Sequence, residues 1–336
     1  MDSLSQALLG AATFAIVKDK YIGKKALVIG AIVGTLPDLD VCLAPFFNEV
    51  AFISVHRSVS HSLIFAVLAS AAFAFIAHRI TKYNYRYKDW ALAFFLAIFT
   101  HSLLDWCTTY GTKLLAPFHG HLFSLNNIHI IEPFYTSILL IGVLILLFKK
   151  SLPSFKRQKV LRFTLAFSTL YLCWTFVSKG IANNQFLAQI EAKGIQYEKM
   201  MISPTPLNSL LWNGIIKTKE GYYFGSYSLL DSRETIKLYF VESKNELIPK
   251  IKEFKKGRQY LEFTQGFPLI VMENNETSIY AIKFGPMNYF GEPEFVYPLS
   301  LNLNEENDAN FKIDHSSLQR GPIKNYKKLL KRIRGI

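Results

Sequence analysis

The stretch Thr100-His-Ser-Leu-Leu-Asp-Trp106 closes an apolar run that begins at Trp90. On a helix, His101 and Asp105 lie one turn apart on the same face, because they are four residues apart. The rest of the run is mostly Ala, Leu, Phe and Ile, which is typical of a helix buried in a membrane. Ionisable side chains in such a helix are costly and usually mark a functional site. An imidazole and a carboxylate presented together suit metal binding or acid–base catalysis.

The composition divides the 336 residues into two parts. Half of them are hydrophobic, the mean hydropathy is +0.18 and only 19% are charged. From Leu4 to about Val177, apolar runs alternate with short basic loops, whereas the chain from Asn183 onward resembles a soluble domain. We therefore predict a mainly α-helical polytopic membrane domain at residues 1–180, followed at residues 181–336 by a small β-rich (α+β) domain with a basic C-terminal tail.

The net charge of +13 raises the question of a nucleic-acid partner. Much of this charge lies in loops that flank apolar runs, where retention of Lys and Arg on the cytoplasmic side of a membrane explains it more simply. We therefore expect no nucleic acid, and a lipid bilayer as the partner. The three cysteines have no paired spacing, so neither a disulfide framework nor a zinc knuckle is expected of Cys42, Cys107 and Cys173.

The distribution of basic residues predicts the topology. Basic loops at residues 18–25, 79–88 and 149–159 should be cytoplasmic, and the loops at 38–60 and 108–132 should then lie outside. This multi-pass arrangement gathers ionisable side chains from three separate segments at the extracytoplasmic face. They are Asp38, Asp40, His56, His61, His101 and Asp105.

Local patterns predict the elements of both parts. Apolar helices are predicted at Leu4–Val17, Ala26–Leu36, Ser62–Ala77, Trp90–Cys107, Phe134–Phe148 and Val160–Val177. In the second part, aromatic and β-branched stretches predict strands at Gly221–Leu229, Ile236–Val241, Pro268–Met272 and Ser278–Phe284. A Lys-rich helix is predicted at Leu247–Gly257. The second part should follow the last membrane helix on the extracytoplasmic side.

The six clustered side chains are the predicted metal ligands. Hydrolytic metal sites combine His nitrogen with Asp oxygen and activate a water molecule, and zinc is the metal that we expect. Arg57 matches a phosphate oxygen well, because its guanidinium group forms two parallel hydrogen bonds. Asp105 or Asp38 would act as general base. Ser60, Asn126 and Asn127 would orient ligands or substrate.

Structural alternatives exist for each motif taken alone. Asp38 and Asp40 could simply follow a helix that Pro37 ends, and His56 and His61 could belong to a solvated loop. His101 and Asp105 could be a structural pair, although an apolar helix favours function. Two further alternatives concern residues at helix starts. Asp2 and Gln6 could complete the site or belong to a free terminus, and Glu132 could cap a helix or act as a base.

The motifs resemble those of one family in the same order along the chain. Residues 1–180 are similar to the YdjM-type (LexA-regulated) membrane-bound metal-dependent hydrolases in the segments Asp2-Ser-Leu-Ser-Gln6 with Leu9-Gly10, Gly34-Thr-Leu-Pro-Asp-Leu-Asp40, His56-Arg-Ser-Val-Ser-His-Ser62 and Thr100-His-Ser-Leu-Leu-Asp105 with Thr109-Tyr-Gly111. This resemblance implies a bacterial inner membrane protein with several helices and a divalent-metal site made by these His and Asp residues. A distant likeness to helical zinc phospholipases and nucleases implies phosphoester substrates. Many members have His where this chain has Gln6, a poorer zinc ligand.

Three functions compete. The first is a membrane-embedded metal-dependent hydrolase that acts on a phosphoester or lipid-linked substrate, because a lipid reaches a site at the bilayer surface without leaving the membrane. The second is a metal or ion transporter, although the helices have no charges in mid-span and no inverted repeat is evident. The third is a membrane scaffold with a structural metal.

Overall fold

A computed structural model describes residues 1–149, 152–232, 235–273, 276–286, 288, 293–295, 299–301, 312–313 and 326–335. Its internal contacts divide the chain into two compact units, Met1–Phe46 with Val55–Thr175 and Phe47–Ser54 with Phe176–Ile336. The predicted separation of a helical part from a β-rich part agrees with the architecture, since apolar helices come first and two small antiparallel sheets follow.

The part of the chain before residue 193 is helical. Its α-helices are α1 (Ser3–Ile22), α2 (Lys25–Gly34), α3 (Glu49–Val55), α4 (Leu63–Ile80), α5 (Tyr87–Cys107), α6 (Pro133–Phe148) and α7 (Ser154–Ala192), with 3-10 helices at Pro37–Phe46 and Val59–His61. Each of the predicted apolar helices is present. α1 and α7 extend well beyond their predicted ends, so Lys18 and Asp19 are helical and not part of a turn.

Within the described ranges, three helices are long and apolar enough to cross a membrane: α4, α5 and α7. A fourth span is possible. Together, α2 and the 3-10 segment Pro37–Phe46 are long and apolar enough to cross a membrane, although the chain bends by 41° between them. Since α2 alone has 10 residues, it is too short to span the hydrocarbon core by itself.

Three glycines bring α1 and α2 into backbone contact. A Cβ atom on Gly30 would lie 2.4 Å from the carbonyl oxygen of Gly10, and one on Gly34 would lie 2.7 Å from the Cα of Gly10. Such separations leave no room for a side chain. Small residues allow this kind of close helix packing in membranes, where van der Waals contact replaces the hydrophobic effect as the driving force. The contact fixes the C-terminal end of α2 against α1.

A buried ion pair joins α1 to α7 at the other end of α1. Nε of Arg157 donates to both carboxylate oxygens of Asp19, at 3.1 and 2.9 Å, and Nη1 donates to the carbonyl oxygen of Leu146 at 2.9 Å. Both side chains are buried. Beside them, Nζ of Lys18 lies 3.7 Å from the ring centre of Trp90 and is completely buried. Charges expected in exposed basic loops are therefore packed inside the helical unit.

The second unit contains two antiparallel sheets. The first has the order β1 (Lys199–Pro204), β2 (Leu211–Lys217), β3 (Gly221–Ser228) and β4 (Tyr239–Glu242), and the second the order β5 (Pro268–Glu273), β6 (Glu276–Ala281), β7 (Leu299–Leu301) and β8 (Lys312–Ile313). Alternating residues of β2 fill two cores. Trp212 and Ile216 pack with Phe186 of α7, while Ile215 packs with Tyr222 and Leu269.

The predicted strands correspond to β3, β4, β5 and β6, whereas β1 and β2 were not predicted. The predicted Lys-rich helix is interrupted at Phe254, giving α8 (Ile248–Glu253) and α9 (Lys255–Phe263). Part of the predicted basic tail forms α10 (Tyr326–Ile333), where Nη2 of Arg332 donates to Asp231 Oδ2 at 2.7 Å. Residues 320–325 of that tail lie outside the described residues.

Candidate metal centre

Four of the six predicted ligands meet at one point. Asp38 comes from the 3-10 segment Pro37–Phe46, His61 from the 3-10 helix Val59–His61, and His101 and Asp105 from successive turns of α5. One ligand atom from each lies within 4.8 Å of the other three, and this group could hold a metal ion.

The distances between the four ligand atoms fit a single small cation. Nε2 of His61 lies 3.2 Å from Nε2 of His101, 3.3 Å from Asp38 Oδ1 and 3.3 Å from Asp105 Oδ2. Nε2 of His101 lies 3.4 Å and 3.6 Å from the same two oxygens. Ligands about 2.0–2.1 Å from a tetrahedral zinc ion are about 3.3 Å apart. The five distances are close to this value, and the donor set could hold a metal ion.

Hydrogen bonds on the far side of each ring fix the tautomers. Nδ1 of His101 lies 2.6 Å from the carbonyl oxygen of Gly34, which can only accept, so Nδ1 carries the proton. Nδ1 of His61 lies 2.9 Å from Ser60 Oγ, which itself donates to Asp40 Oδ2 at 2.8 Å. With neutral imidazoles, both Nε2 atoms would present lone pairs to each other. Such an arrangement is repulsive without a cation and is the usual preparation of a metal-binding histidine.

The side chain of Asp105 is fixed through Oδ1, the carboxylate oxygen that does not face the histidines. Its Oδ1 accepts a hydrogen bond from Nε2 of Gln6 at 2.9 Å and contacts the α-amino group of Met1. Its Oδ2 is buried and has no hydrogen-bond partner among the described residues, although Nε of Arg57 forms an ion pair with it at 3.2 Å. A buried carboxylate oxygen without a hydrogen-bond donor, facing two ring nitrogens, suits a metal ligand.

Asp40 and His56 lie beside the four ligands and contact each other. Asp40 Oδ1 is 2.8 Å from Nδ1 of His56, and Asp40 Oδ2 accepts the backbone N–H of Arg57 at 3.0 Å and lies 3.5 Å from Nδ1 of His61. These contacts allow Asp40 to orient the His61 ring. Carboxylates commonly hold metal-binding histidines in this way. A direct ligand role for Asp40 and His56 stays a prediction.

Arg57 is buried next to the four ligands in an unusual conformation. Its φ angle is +58°, a region that non-glycine residues rarely adopt and that is often associated with functional sites. Nη1 donates to Thr108 Oγ1 at 3.1 Å, and the guanidinium group lies 4.8 Å from the ring centre of Tyr110. Burial raises the pKa of Tyr110 to about 12, so its hydroxyl group stays protonated. The result is a fixed positive charge beside the carboxylates.

The structure settles where the remaining candidates lie. Asp2 caps α1, because its Oδ1 accepts the backbone N–H of Ser5 at 2.9 Å. Asn127 donates to Thr175 Oγ1 at 2.7 Å, and Asn126 has a left-handed φ of +50°. His119 and His121 are exposed in the loop after α5. Of the N-terminal candidates, Gln6 therefore contacts a ligand side chain and Asp2 caps a helix.

Glu132 lies outside the metal centre but is also buried in the helical unit. Its Oε1 accepts a hydrogen bond from the Tyr171 hydroxyl at 2.8 Å, and its Oε2 has no partner in the described part of the chain. Burial, which outweighs the hydrogen bond, raises the pKa of the carboxyl group from 4.5 to about 7. The side chain forms no capping hydrogen bond to α6, although its backbone carbonyl oxygen accepts the Thr136 N–H.

This raised pKa predicts a pH-dependent stability. The folded protein binds the proton more tightly than the unfolded chain, so this stabilisation is complete below pH 4.5 and is lost as the pH rises through 7. A shift of this size corresponds to about 3 kcal/mol. The variant Glu132→Gln should therefore unfold at a higher temperature than the wild type at pH 8 and at a similar one at pH 5. Parallel melting curves at all pH values would contradict this assignment.

A comparison with known protein families identifies the family of this chain. The model of the family described as "YdjM inner membrane protein" matches residues 1–182, more than half of the chain and the whole of the segment that contributes the four ligands. No curated protein and no solved structure matches.

Proposed function

We propose, from the premise that this chain belongs to the YdjM family of inner membrane proteins, that it is a metal-dependent hydrolase of phosphoesters. One observation carries the proposal: two imidazole nitrogens and two carboxylate oxygens face one point at zinc-like spacing, with the buried Arg57 beside them. The alternating basic loops support a site on the extracytoplasmic side of the membrane, with the C-terminal domain on that side as well.

The ligand types favour a catalytic metal over a structural one. Structural zinc sites are mostly built from cysteine, alone or with histidine. The group here consists of His and Asp, and its nearest cysteine in sequence, Cys107, is not a member of it. Asp38 is also the open side of the group, since its side chain is 24% exposed while those of the other three ligands are 0% exposed.

Each residue then has a distinct role. In a divalent metal site made by the four ligands, the exposed Asp38 would give way to a water molecule, whose pKa the metal would lower, and the metal would polarise a phosphoryl oxygen. Arg57 would hold a second phosphoryl oxygen and stabilise negative charge that develops there. Asp38, the exposed carboxylate, would accept the proton of the attacking water. Asp40 and Gln6 would keep His61 and Asp105 in place.

Purified protein in detergent provides the test. We expect zinc-dependent hydrolysis of bis(p-nitrophenyl) phosphate or p-nitrophenyl phosphate, and we expect Arg57→Met to lower kcat/KM at least ~100-fold while metal content is retained. The exposed His119, replaced by alanine, is the matched control and should leave activity unchanged. Absence of hydrolysis of both esters by the zinc-loaded wild type would overturn the proposal.

The bent pair of α2 and Pro37–Phe46 favours one second candidate, metal-ion transport. Transporters place ion ligands where a membrane helix is broken, and Asp38 lies just after such a break. Reconstituted vesicles distinguish the two functions. A transporter would move zinc across the bilayer without ester hydrolysis, whereas a hydrolase would cleave the ester with no zinc flux.

A further inference from the structure

The metal centre opens at the start of an apolar surface segment. Asp38 is its most exposed ligand, and the residue that follows it, Leu39, is 56% exposed. Beyond the buried Asp40, the chain continues as Val-Cys-Leu-Ala-Pro-Phe without a charged side chain. The exposed apolar residues that flank the opening, here called the apolar ledge, are Leu39, Val41, Leu43 and Phe46, with exposed fractions of 56, 54, 44 and 80%.

The ledge continues onto the first turn of α4. The 3-10 helix Val59–His61 packs against the ledge segment, as the hydrogen bond from Ser60 to Asp40 shows. Val59 and Leu63 next to it are 53 and 43% exposed. Several large exposed apolar side chains on neighbouring segments favour an apolar cover over water.

A bilayer supplies that cover. α4 is long and apolar enough to span a membrane, and so is the ledge segment when it is taken together with α2. The opening at Asp38 therefore lies among side chains that have the composition of a lipid-facing surface. A backbone that faces lipid must form its hydrogen bonds within its own segment, as the 3-10 helix Pro37–Phe46 does.

Charge indicates the head group that fits the opening. The carboxylates of Asp38 and Asp105 carry two negative charges, which a divalent cation balances, and the Asp40 carboxylate is balanced by the α-amino group of Met1 beside Asp105. Arg57 is then left as a buried positive charge 3.2 Å from Asp105 Oδ2. An anionic group such as a phosphate would neutralise it.

We infer that the substrate of the proposed hydrolase is a membrane lipid whose phosphate head group has a net negative charge, and which enters sideways from the bilayer with its hydrocarbon chain along the apolar ledge. This inference rests on the proposed function for the chemistry at the metal. The lipid surface itself rests on the exposed side chains of Pro37–Phe46 and of the start of α4.

Photo-crosslinking tests the inference. The zinc-loaded protein is placed in phosphatidylcholine nanodiscs that contain phosphatidic acid with a diazirine on one acyl chain, and the adducts are mapped by mass spectrometry. We expect the yield of adducts in residues 39–46 to be at least ~5-fold higher than the yield at Phe75 and Ile76, which are exposed on α4. Unlabelled phosphatidic acid should compete for them, and added phosphatidylcholine should not. The variant Leu39→Ser/Leu43→Ser should lose them, while Phe75→Ser should keep them.

Two outcomes overturn the inference. One is an even distribution of adducts over the exposed apolar helix positions, which indicates bulk lipid only. The other is crosslinking of residues 39–46 to a second copy of the chain, which indicates a protein interface.

Hydrolysis of the soluble ester separates this inference from the proposed function. If the wild type cleaves bis(p-nitrophenyl) phosphate but forms no competed adduct at the ledge, the lipid inference alone fails. If the competed adducts form and neither soluble ester is cleaved, the proposed function fails and the lipid surface stands.

Discussion

Replacing His101 with asparagine should abolish zinc binding and leave the fold intact. The amide nitrogen of asparagine occupies nearly the position of Nδ1, so it can still donate to the carbonyl oxygen of Gly34. The variant lacks Nε2, the atom that faces His61, Asp38 and Asp105. Four protein ligands hold about one zinc ion per chain, and removal of one of them should lower the affinity by more than ~100-fold.

Metal analysis of purified protein after dialysis measures this effect. The wild type and the control His119→Ala should both retain zinc, and the His101→Asn variant should retain almost none. Circular dichroism and gel filtration show whether the helices and the particle size are unchanged. A folded His101→Asn protein with full zinc content would mean that the ion is bound elsewhere.

Replacing Arg157 with methionine should destabilise the helical unit strongly. Asp19 would remain buried with its only described cationic partner removed, and an uncompensated buried charge costs about 3–5 kcal/mol. For a protein of this size, the midpoint of thermal unfolding in detergent should fall by roughly 10 °C. Arg162→Met, on the exposed face of the same helix, is the matched control and should have little effect.

A double variant distinguishes charge from packing. Apolar replacement of both partners of a buried ion pair is often neutral or stabilising, so Asp19→Leu/Arg157→Met should recover most of the lost stability. If the double variant is as unstable as Arg157→Met alone, the packing of the guanidinium group, and not its charge, stabilises this contact.

The sequence was most informative where spacing and chemistry coincided. His101 and Asp105 were predicted as a pair because four residues make one helical turn, and the structure places them so. Asp38 and His61 were joined to them by the alternation of basic loops. One contact was not predicted. The carbonyl oxygen of Gly34 holds His101 only because α2 packs tightly on α1, and the spacing of Gly10, Gly30 and Gly34 was the available signal.

The basic loops give a wrong expectation in one respect. Charge patterns distinguish the two sides of a membrane but do not show which charges are exposed. Lys18 and Asp19 continue α1 beyond its predicted end at Val17 and are buried, because aromatic rings surround Lys18 and Arg157 pairs with Asp19. In the second unit, β1 and β2 escaped prediction since Lys, Ser, Pro and Asn interrupt their apolar pattern. The pairing of β1 with β2 and of β2 with β3 explains their conformation.

The separation of the ligands along the chain has a consequence for biosynthesis. Asp38 leaves the ribosome 67 residues before Asp105. At about 5–20 residues per second, translation of that interval takes roughly 3–13 s. During this time α1, α2 and the Asp38 carboxylate exist without their histidine and aspartate partners on α5. The metal centre is therefore completed only when α5 has been inserted beside α1, and ions loaded earlier would have to bind a half-built site. The proposed site would therefore take up its metal late, after the insertion of α5.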